Sequence, residues 1–255
     1  MSKKISDAEV SIILPNYNSE TFVEETIESV INQTFENWKL NIVDDNSNME
    51  TKKVLEKYKN HPKINITWLK KNKGAGFCRN IAIRNSTADY IAFIDSDDIW
   101  DKEKLSKQIK FMINNNFHFT YTNYYTFKSN KKNILNEVKP AKNFTFEKYI
   151  KDTSIGTSTM IIKKSLIGNT KFSKTKICED YFFKCQILKK AKSAYCLSES
   201  LAKYRIRKNS LQSNKLKNIF WIWIINKNFN HLDIFKNLLS VIFISINSLR
   251  KYGFK

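Results

Sequence analysis

The chain has no apolar run long enough to cross a bilayer. The longest late tract, "NLLSVIFISINSL", falls short of the roughly 18 residues a spanning helix needs. The opening run in "MSKKISDAEVSIILP" stops at Pro15, too soon for the apolar centre of a signal peptide. Cysteine is sparse. Cys78, Cys178, Cys185 and Cys196 form no C-x-x-C pair and no His-rich cluster accompanies them, so they read as reduced packing residues of a cytosolic protein. Two phosphate-binding signatures are missing. There is no G-K-[ST] segment, which excludes a P-loop enzyme, and "NKGAGFCRN" has Arg79 where a dinucleotide fingerprint needs its third glycine. Acid is nearly absent from the tail: residues 201–255 hold 11 Lys+Arg and one acid, Asp233, whereas residues 1–100 hold 13 Lys+Arg against 15 Asp+Glu. The formal net charge of +20 is therefore unevenly spread, and a basic tail points to a membrane surface, a nucleic acid or an acidic substrate.

What is present is a globular chain of 255 residues, 42% hydrophobic and 13% aromatic, enough for one large domain or one domain with an appendage. No internal repeat or low-complexity block occurs. Residues 1–127 alternate strand, loop and helix. "VSIIL", "KLNIV", "INITWL", "YIAFI" and "FHFTYTNYYTF" read as strands. Helices are predicted within "ETFVEETIESVINQTF", around 52–59, around 77–85 and over 102–114. That order implies βαβ crossovers and a mostly parallel sheet. After residue 127 the pattern loosens. "KSNKKNILNEVKPAKN" reads as a loop or hairpin, "TSTMIIKKSLI" as a strand into a turn, and "CEDYFFKCQILKKA" as a helix with Glu179 and Asp180 in its first turn, where the dipole favours carboxylates. Two more helices are expected from "KLKNIFWIWIINKNFN" and "LDIFKNLLSVIFISINSLRKYG".

In such sheets ligands bind beyond the carboxyl ends of the strands. Polar clusters fall there: Asn16, Tyr17 and Asn18 after the first strand, Asp44 and Asp45 after the second, and Asp95, Asp97 and Asp98 in "YIAFIDSDDIW" after the fourth. Three carboxylates so close repel one another, and each is costly to desolvate. A helix cap explains one of them; a divalent cation with open positions for a diphosphate explains all three. Gly74 and Gly76 allow close backbone approach to a ligand, and Arg79 could reach a phosphate.

These blocks, in this order over residues 10–213, resemble the family 2 glycosyltransferases with the GT-A fold: "LPNYNSETFVEETIESVINQTF" and "VDDNS", then "NKGAGFCRNIAI", "FIDSDDIW", "GTSTMIIKKSLI" with "CEDYFF", and "YRIRKNSLQS". The resemblance implies a Rossmann-like, mostly parallel sheet flanked by helices, with a catalytic domain over 1–213 (a nucleotide-sugar half to about 127, an acceptor half beyond) and a basic helical extension over 214–255. It implies inverting transfer of a hexose or N-acetylhexosamine from a UDP-sugar to a hydroxyl on a bacterial surface glycan, with Mn²⁺ or Mg²⁺. The nucleotide side would comprise Pro15, Tyr17, Asn18, Asp44, Asp45, Arg79, Asp95, Ser96 and Asp97. The metal would fall to Asp95 and Asp97, or to Asp98. Asp180 would be the general base and Glu179 its neighbour. Arg207 stands where many relatives carry a histidine, so Arg205 and Arg207 are phosphate candidates. The expected partners are a lipid-linked acceptor and, through the basic helices, the inner membrane surface from the cytoplasmic side; packing of those helices on the catalytic core is the alternative, and a homodimer is left open. Two other readings use some of the same features. A Mg²⁺-dependent phosphohydrolase or phosphotransferase also places D-x-D after a strand, but in its best-known fold after the first strand. A nucleic-acid-binding protein would use the basic charge and "TYTNYYTF", yet the front half carries acids where phosphate would lie.

Overall fold

A computed structural model of the chain describes residues 5–128, 133–175, 177–207 and 215–252. After a 3-10 turn at Ile5–Asp7 come β1 (Val10–Asn16), α1 (Val23–Ile31), β2 (Trp38–Asp44), α2 (Met49–Glu56), β3 (Ile64–Trp68), α3 (Ala75–Asn85), β4 (Tyr90–Phe93), the two-residue β5 (Ile99–Trp100), α4 (Lys104–Asn114) and β6 (Phe119–Phe127). The second half adds β7 (Ile134–Val138), β8 (Asn143–Phe144), α5 (Phe146–Tyr149), a 3-10 turn at Thr157–Thr159, β9 (Ile161–Lys163), α6 (Lys164–Ile167), α7 (Glu179–Ala191), β10 (Ala194–Arg205), α8 (Lys215–Asn228) and α9 (Ile234–Tyr252).

Local chemistry sets the boundaries. α2 begins three residues before the sequence pattern does, because the Asn48 side chain caps it and accepts from the Thr51 N–H at 2.9 Å. α3 starts straight after Gly74, whose φ of 89° lies in the region glycine adopts freely. In α1 the buried Val23, Thr26, Ile27 and Val30 make one apolar stripe, with Glu24 and Glu25 at the positive end of the helix.

The strands form one mixed sheet in the order β3-β2-β1-β4-β9-β6-β10-β5, with β7 added on β6 and β8 on β10. Its long pairings, β1 with β2, β2 with β3, β1 with β4 and β6 with β10, are parallel. Short β9 enters antiparallel between β4 and β6. β7 pairs antiparallel with β6, which makes the basic 128–143 stretch a hairpin whose residues 129–132 lie outside the described ones. Strands from both the 1–127 and 128–213 halves thus share a single sheet. The register puts Asn16 opposite Asp44 and Asp44 opposite Trp68, so the carboxyl ends of β1, β2 and β3 finish level.

The pleat sorts the core into two layers. Ile12 and Leu14 of β1, Leu40 and Ile42 of β2, and Ala92 of β4 face a layer completed by α1, α2 and α4 through Ile27, Leu55 and Ile109. Ile13, Val43, Ile91 and Phe93 face the other, completed by α3, α7, α8 and α9 through Ala82, Phe183, Ile225 and Ile244. The C-terminal helices are therefore anchored. The Tyr181 hydroxyl of α7 donates to Asn226 Oδ1 at 2.7 Å, and Asn226 Nδ2 donates to Ser240 of α9 at 2.9 Å. Among the described residues no helix is long and apolar enough to cross a membrane. All four cysteines are free, and three of them are buried.

Candidate active site

The crevice is built from the ends of β1, β2 and β4, the start of α3 and the start of α7. Asp44 is a brace rather than a free ligand. Its Oδ1 accepts from Asn16 Nδ2 at 2.8 Å and from the Ser47 hydroxyl at 2.5 Å, and its Oδ2 accepts from the Ser47 N–H at 3.0 Å. Ser47 in turn accepts from the Asn18 N–H at 3.0 Å, and Asn18 Oδ1 accepts from the Asn48 N–H at 2.9 Å. The loops after Pro15 and after Asp44 are thereby fastened together. Tyr17 stands out of this knot with 51% of its surface exposed. Asp45, beside it, accepts the N–H groups of Lys73 and Gly74 at 2.7 Å each. Its carboxylate fixes the glycine loop against the end of β2.

Arg79 is the hub. Reaching in from α3 and nearly fully buried, it donates from Nη2 to Asp95 at 2.6 Å and from Nη1 to Glu179 at 3.0 Å, 100 residues downstream in sequence. Burial works against its cation, and the two carboxylates more than offset that, so its pKa is held above the ordinary value. Its Nε is buried without a partner. Close approach of α3 to α7 depends on Gly76: a Cβ there would meet Glu179 Cγ at 2.8 Å and Phe172 Cβ at 3.2 Å. The neighbouring Asn80 closes the same seam, donating to Phe172 O at 3.0 Å and accepting from the Phe172 N–H at 2.8 Å.

The carboxylate trio divides in two. Asp98 is buried; its Oδ1 accepts from the Arg205 N–H at 2.9 Å and its Oδ2 from Ser158 at 2.5 Å. Burial, then Asp97 and Asp95, push its pKa well up. Asp95 and Asp97 border the crevice. Asp95 Oδ1 meets Arg79, Asp97 Oδ2 meets Arg207 Nε at 2.6 Å, and the Asp95 N–H donates to Ser158 at 3.0 Å. Burial pushes Asp97 up to about 6; Arg207 and Arg205 oppose the shift and Asp95 adds to it. Ser96 lies between them, half-buried. Among the described residues no three His, Cys, Asp or Glu side chains stand together in metal-binding geometry. Asp95 and Asp97 nevertheless fit a hard divalent cation: they are oxygen donors, one oxygen of each lies outside the arginine pairings, and their mutual repulsion is what a cation relieves.

The two arginines after β10 differ. Arg205 is buried between the rings of Phe22 and Phe127, 4.6 and 4.4 Å from their centres, pairs with Glu25 and donates from Nε to Asp97 O at 2.8 Å. It is a brace. Arg207 keeps 40% of its side chain exposed while paired with Asp97.

At the start of α7, Glu179 faces Arg79, and burial raises its pKa against the pull of that arginine. Asp180 Oδ2 meets Lys184 Nζ at 2.9 Å and accepts from Thr157 Oγ1 at 3.2 Å. Burial would raise Asp180, but Lys184 first, and Arg79 after it, bring it down to about 2, so it is ionised at neutral pH. Sequence reasoning set Asn16, Tyr17, Asn18, Asp44, Asp45 and the Asp95–Asp98 trio at strand ends, and the resemblance added Arg79, Glu179 and Asp180; in the structure Arg79 joins Asp95 to Glu179, while Asp44 and Asp45 fasten the neighbouring loops. Sequence reasoning missed Ser158 and Lys184. Lys184 had a readable signal, the helical i,i+4 spacing from Asp180. Ser158 had none, since its carboxylate partner Asp98 is 60 residues away.

A family model described as "Glycosyl transferase family 2" matches residues 11–173. The chain is 35% identical over 254 residues to the "UDP-Glc:alpha-D-GlcNAc-diphosphoundecaprenol beta-1,3-glucosyltransferase WfgD" of Escherichia coli, an alignment covering 98% of this chain and 97% of that one. It is 32% identical over 243 residues to the "Putative teichuronic acid biosynthesis glycosyltransferase TuaG" of Bacillus subtilis, covering 95% and 96%. Among solved structures, S. aureus TarS 1-349 in complex with UDP-GlcNAc superposes with a TM-score of 0.72 at 21% identity, over 97% of this chain and 73% of that one, a likeness of fold.

Proposed function

The chain belongs to glycosyl transferase family 2, and from that premise we propose that it moves one sugar, with inversion at C1, from a UDP-sugar to a hydroxyl of a lipid-linked bacterial surface-glycan precursor. The observation that supports this reading is the Arg79 bridge, which ties Asp95 of the carboxylate segment to Glu179, next in sequence to an ionised Asp180. Tyr17 lies against the base. Asp45 and the loop it holds receive the uracil and ribose, with Asp44, Asn18 and Pro15 shaping the wall. Asp95, Ser96 and Asp97 line the diphosphate side.

Asp95 and Asp97 would hold Mn²⁺ or Mg²⁺, and the bound ion supplies positive charge to the departing diphosphate. Asp180 accepts the acceptor's hydroxyl proton while that oxygen attacks C1; the C1–O bond to the diphosphate breaks, and UDP leaves with the electron pair. Arg207 moves onto the anionic leaving group. No protein acid is needed there, because the leaving group is stabilised as an anion. The names of the relatives support a UDP-glucose donor and a diphospholipid-linked acceptor for this chain. The test is Asp180→Asn, which keeps shape and removes basicity: UDP binding is retained and transfer is lost. Wild-type transfer by that variant refutes the assignment. UDP release from a UDP-sugar, rather than phosphate release without one, separates this reading from a phosphohydrolase.

The acceptor's lipid gives the C-terminal helices a role. Ile234, Leu238, Ile242 and Ile246 recur every four residues on α9, flanked by Phe235 and Phe243, and all six are exposed large apolar side chains. Arg250 is exposed near the end of the same helix. An apolar stripe beside a basic tail suits the surface of an anionic bilayer, where each nearby Lys or Arg contributes about 1 kcal/mol. This reading places the enzyme on the cytoplasmic face of the membrane, with the crevice open to its lipid-bound acceptor.

A further inference from the structure

We propose that Lys184 is the positioning residue for the proton-accepting carboxylate: it fixes which oxygen of Asp180 meets the acceptor and at what distance from the Asp95–Asp97 pair. The inference rests on Asp180 being the base. Three polar atoms form a closed triangle. Lys184 Nζ donates to Asp180 Oδ2 at 2.9 Å and to Thr157 Oγ1 at 3.0 Å, and Thr157 Oγ1 donates to the same Oδ2 at 3.2 Å. Only 2% of the Lys184 side chain is exposed, against 21% of Asp180. A surface i,i+4 pair of this kind stabilises a helix by a few tenths of a kcal/mol and leaves both partners mobile. A buried ammonium has no water to turn to, so it holds its partners in place. Oδ2 is thereby committed inward, the Tyr181 N–H also supports the carboxylate, and on this proposal Oδ1 meets the acceptor hydroxyl.

The triangle's third corner carries the argument further. Thr157 belongs to the 3-10 turn Thr157–Thr159, and the next residue, Ser158, accepts from the Asp95 N–H and donates to Asp98. One three-residue turn therefore holds the base on one side and, on the other, the Asp95 backbone and the Asp98 carboxylate. Lys184 is the link from α7 to that turn. The charged and titratable groups around Asp180 are Glu179 and Lys184 from α7, Arg79 from α3, Tyr149 from α5 and Cys178 at the helix start. Of the groups opposing its desolvation, Lys184 acts most strongly. Without Lys184, burial acts less opposed and the carboxylate becomes easier to protonate.

The test compares wild type with K184M and K184Q on the full-length protein, using Mn²⁺, a UDP-sugar and a synthetic acceptor. Expected is a fall in kcat of about tenfold or more, in line with the cost of displacing a catalytic group by about an ångström. UDP affinity by calorimetry and donor KM stay within about twofold of wild type, because the donor side keeps its own contacts. Beyond any acid limb that wild type and variant share through Asp97, K184M gains a new one from the less supported Asp180. K184Q, which keeps a donor for Thr157, serves if K184M does not fold, and K184R recovers part of the rate. Unchanged kcat with no new acid limb overturns the proposal. So does a parallel loss of UDP affinity and melting temperature, which marks a packing role. Asp180→Asn is run alongside: full transfer by that variant refutes the base assignment itself, whereas an inactive Asp180→Asn beside a fully active K184M refutes only the role of Lys184.

Discussion

Lys104 of α4 is fully buried, with Nζ donating to Gln108 Oε1 at 2.8 Å and lying 4.3 Å from the centre of the Trp100 ring. Burial lowers its pKa from 10.5 to about 7. In the unfolded chain the lysine titrates near its ordinary value, so between about pH 7 and 10.5 the unfolded state binds more protons than the folded one. Wild-type stability therefore rises with pH across that window through this group. Below about pH 7 the lysine is charged in both states and the burial penalty is felt in full, about 4 to 5 kcal/mol at about 1.4 kcal/mol per pKa unit. Lys104→Met removes that penalty and keeps an apolar side chain of similar length. It also leaves Gln108 Oε1 without its donor, which costs about 1–2 kcal/mol. The variant is thus expected to be more stable than wild type by about 3 kcal/mol at pH 6, and the advantage shrinks by about 1.4 kcal/mol per pH unit above 7. Urea unfolding at pH 6, 7, 8 and 9 measures it, and other titrating groups cancel in the difference. An advantage that does not change between pH 6 and 9 refutes the reasoning, because only a group with different pKa values in the two states gives that slope. The lysine matters to the site through Gln108, which donates to Thr159 O at 3.0 Å, next to Ser158.

Asp97→Ala is expected to lower turnover by about three orders of magnitude with little change in melting temperature, and EDTA to act likewise; full activity in EDTA refutes the cation's role. Gly76→Ala places a methyl 2.8 Å from Glu179 Cγ, so unfolding free energy should fall by about 1–3 kcal/mol and UDP binding should weaken with it. Calorimetry and a thermal melt check both, and a variant with wild-type values shows that α7 yields freely. Leu238→Asp with Ile242→Asp, at exposed positions of α9, should abolish flotation with anionic liposomes at low salt while leaving the melt unchanged. Flotation that persists in this variant, or a wild type that never floats, refutes the membrane face, and a concentration-dependent dimer lost in the variant assigns that face to a second copy.

The first 127 residues were largely legible because their information is local. Period-two strands, period-3.6 helices and polar loops at strand ends dictate a βαβ series and place Asp44, Asp45 and Asp95 to Asp98 on one edge whatever the rest does. From the residues alone the acid pair Glu179–Asp180 was legible as a helix start, and only the family resemblance gave Asp180 the role of base. β10, which is 12 residues long, was not, because "AYCLSESLAKYR" mixes polar and apolar residues without strict alternation and owes its conformation to pairing with β6, across two register shifts. β9 was read as a strand, but nothing in three residues says that it runs antiparallel between β4 and β6. The roles inside the carboxylate trio depended on the tertiary structure too. Sequence makes Asp95, Asp97 and Asp98 three equal acids; the fold buries Asp98 on Ser158 and the Arg205 N–H and leaves the other two at the crevice. A carboxylate's role depends on which donors surround it. Here those donors come from segments about 60 to 110 residues away, which only the closed sheet brings within 3 Å.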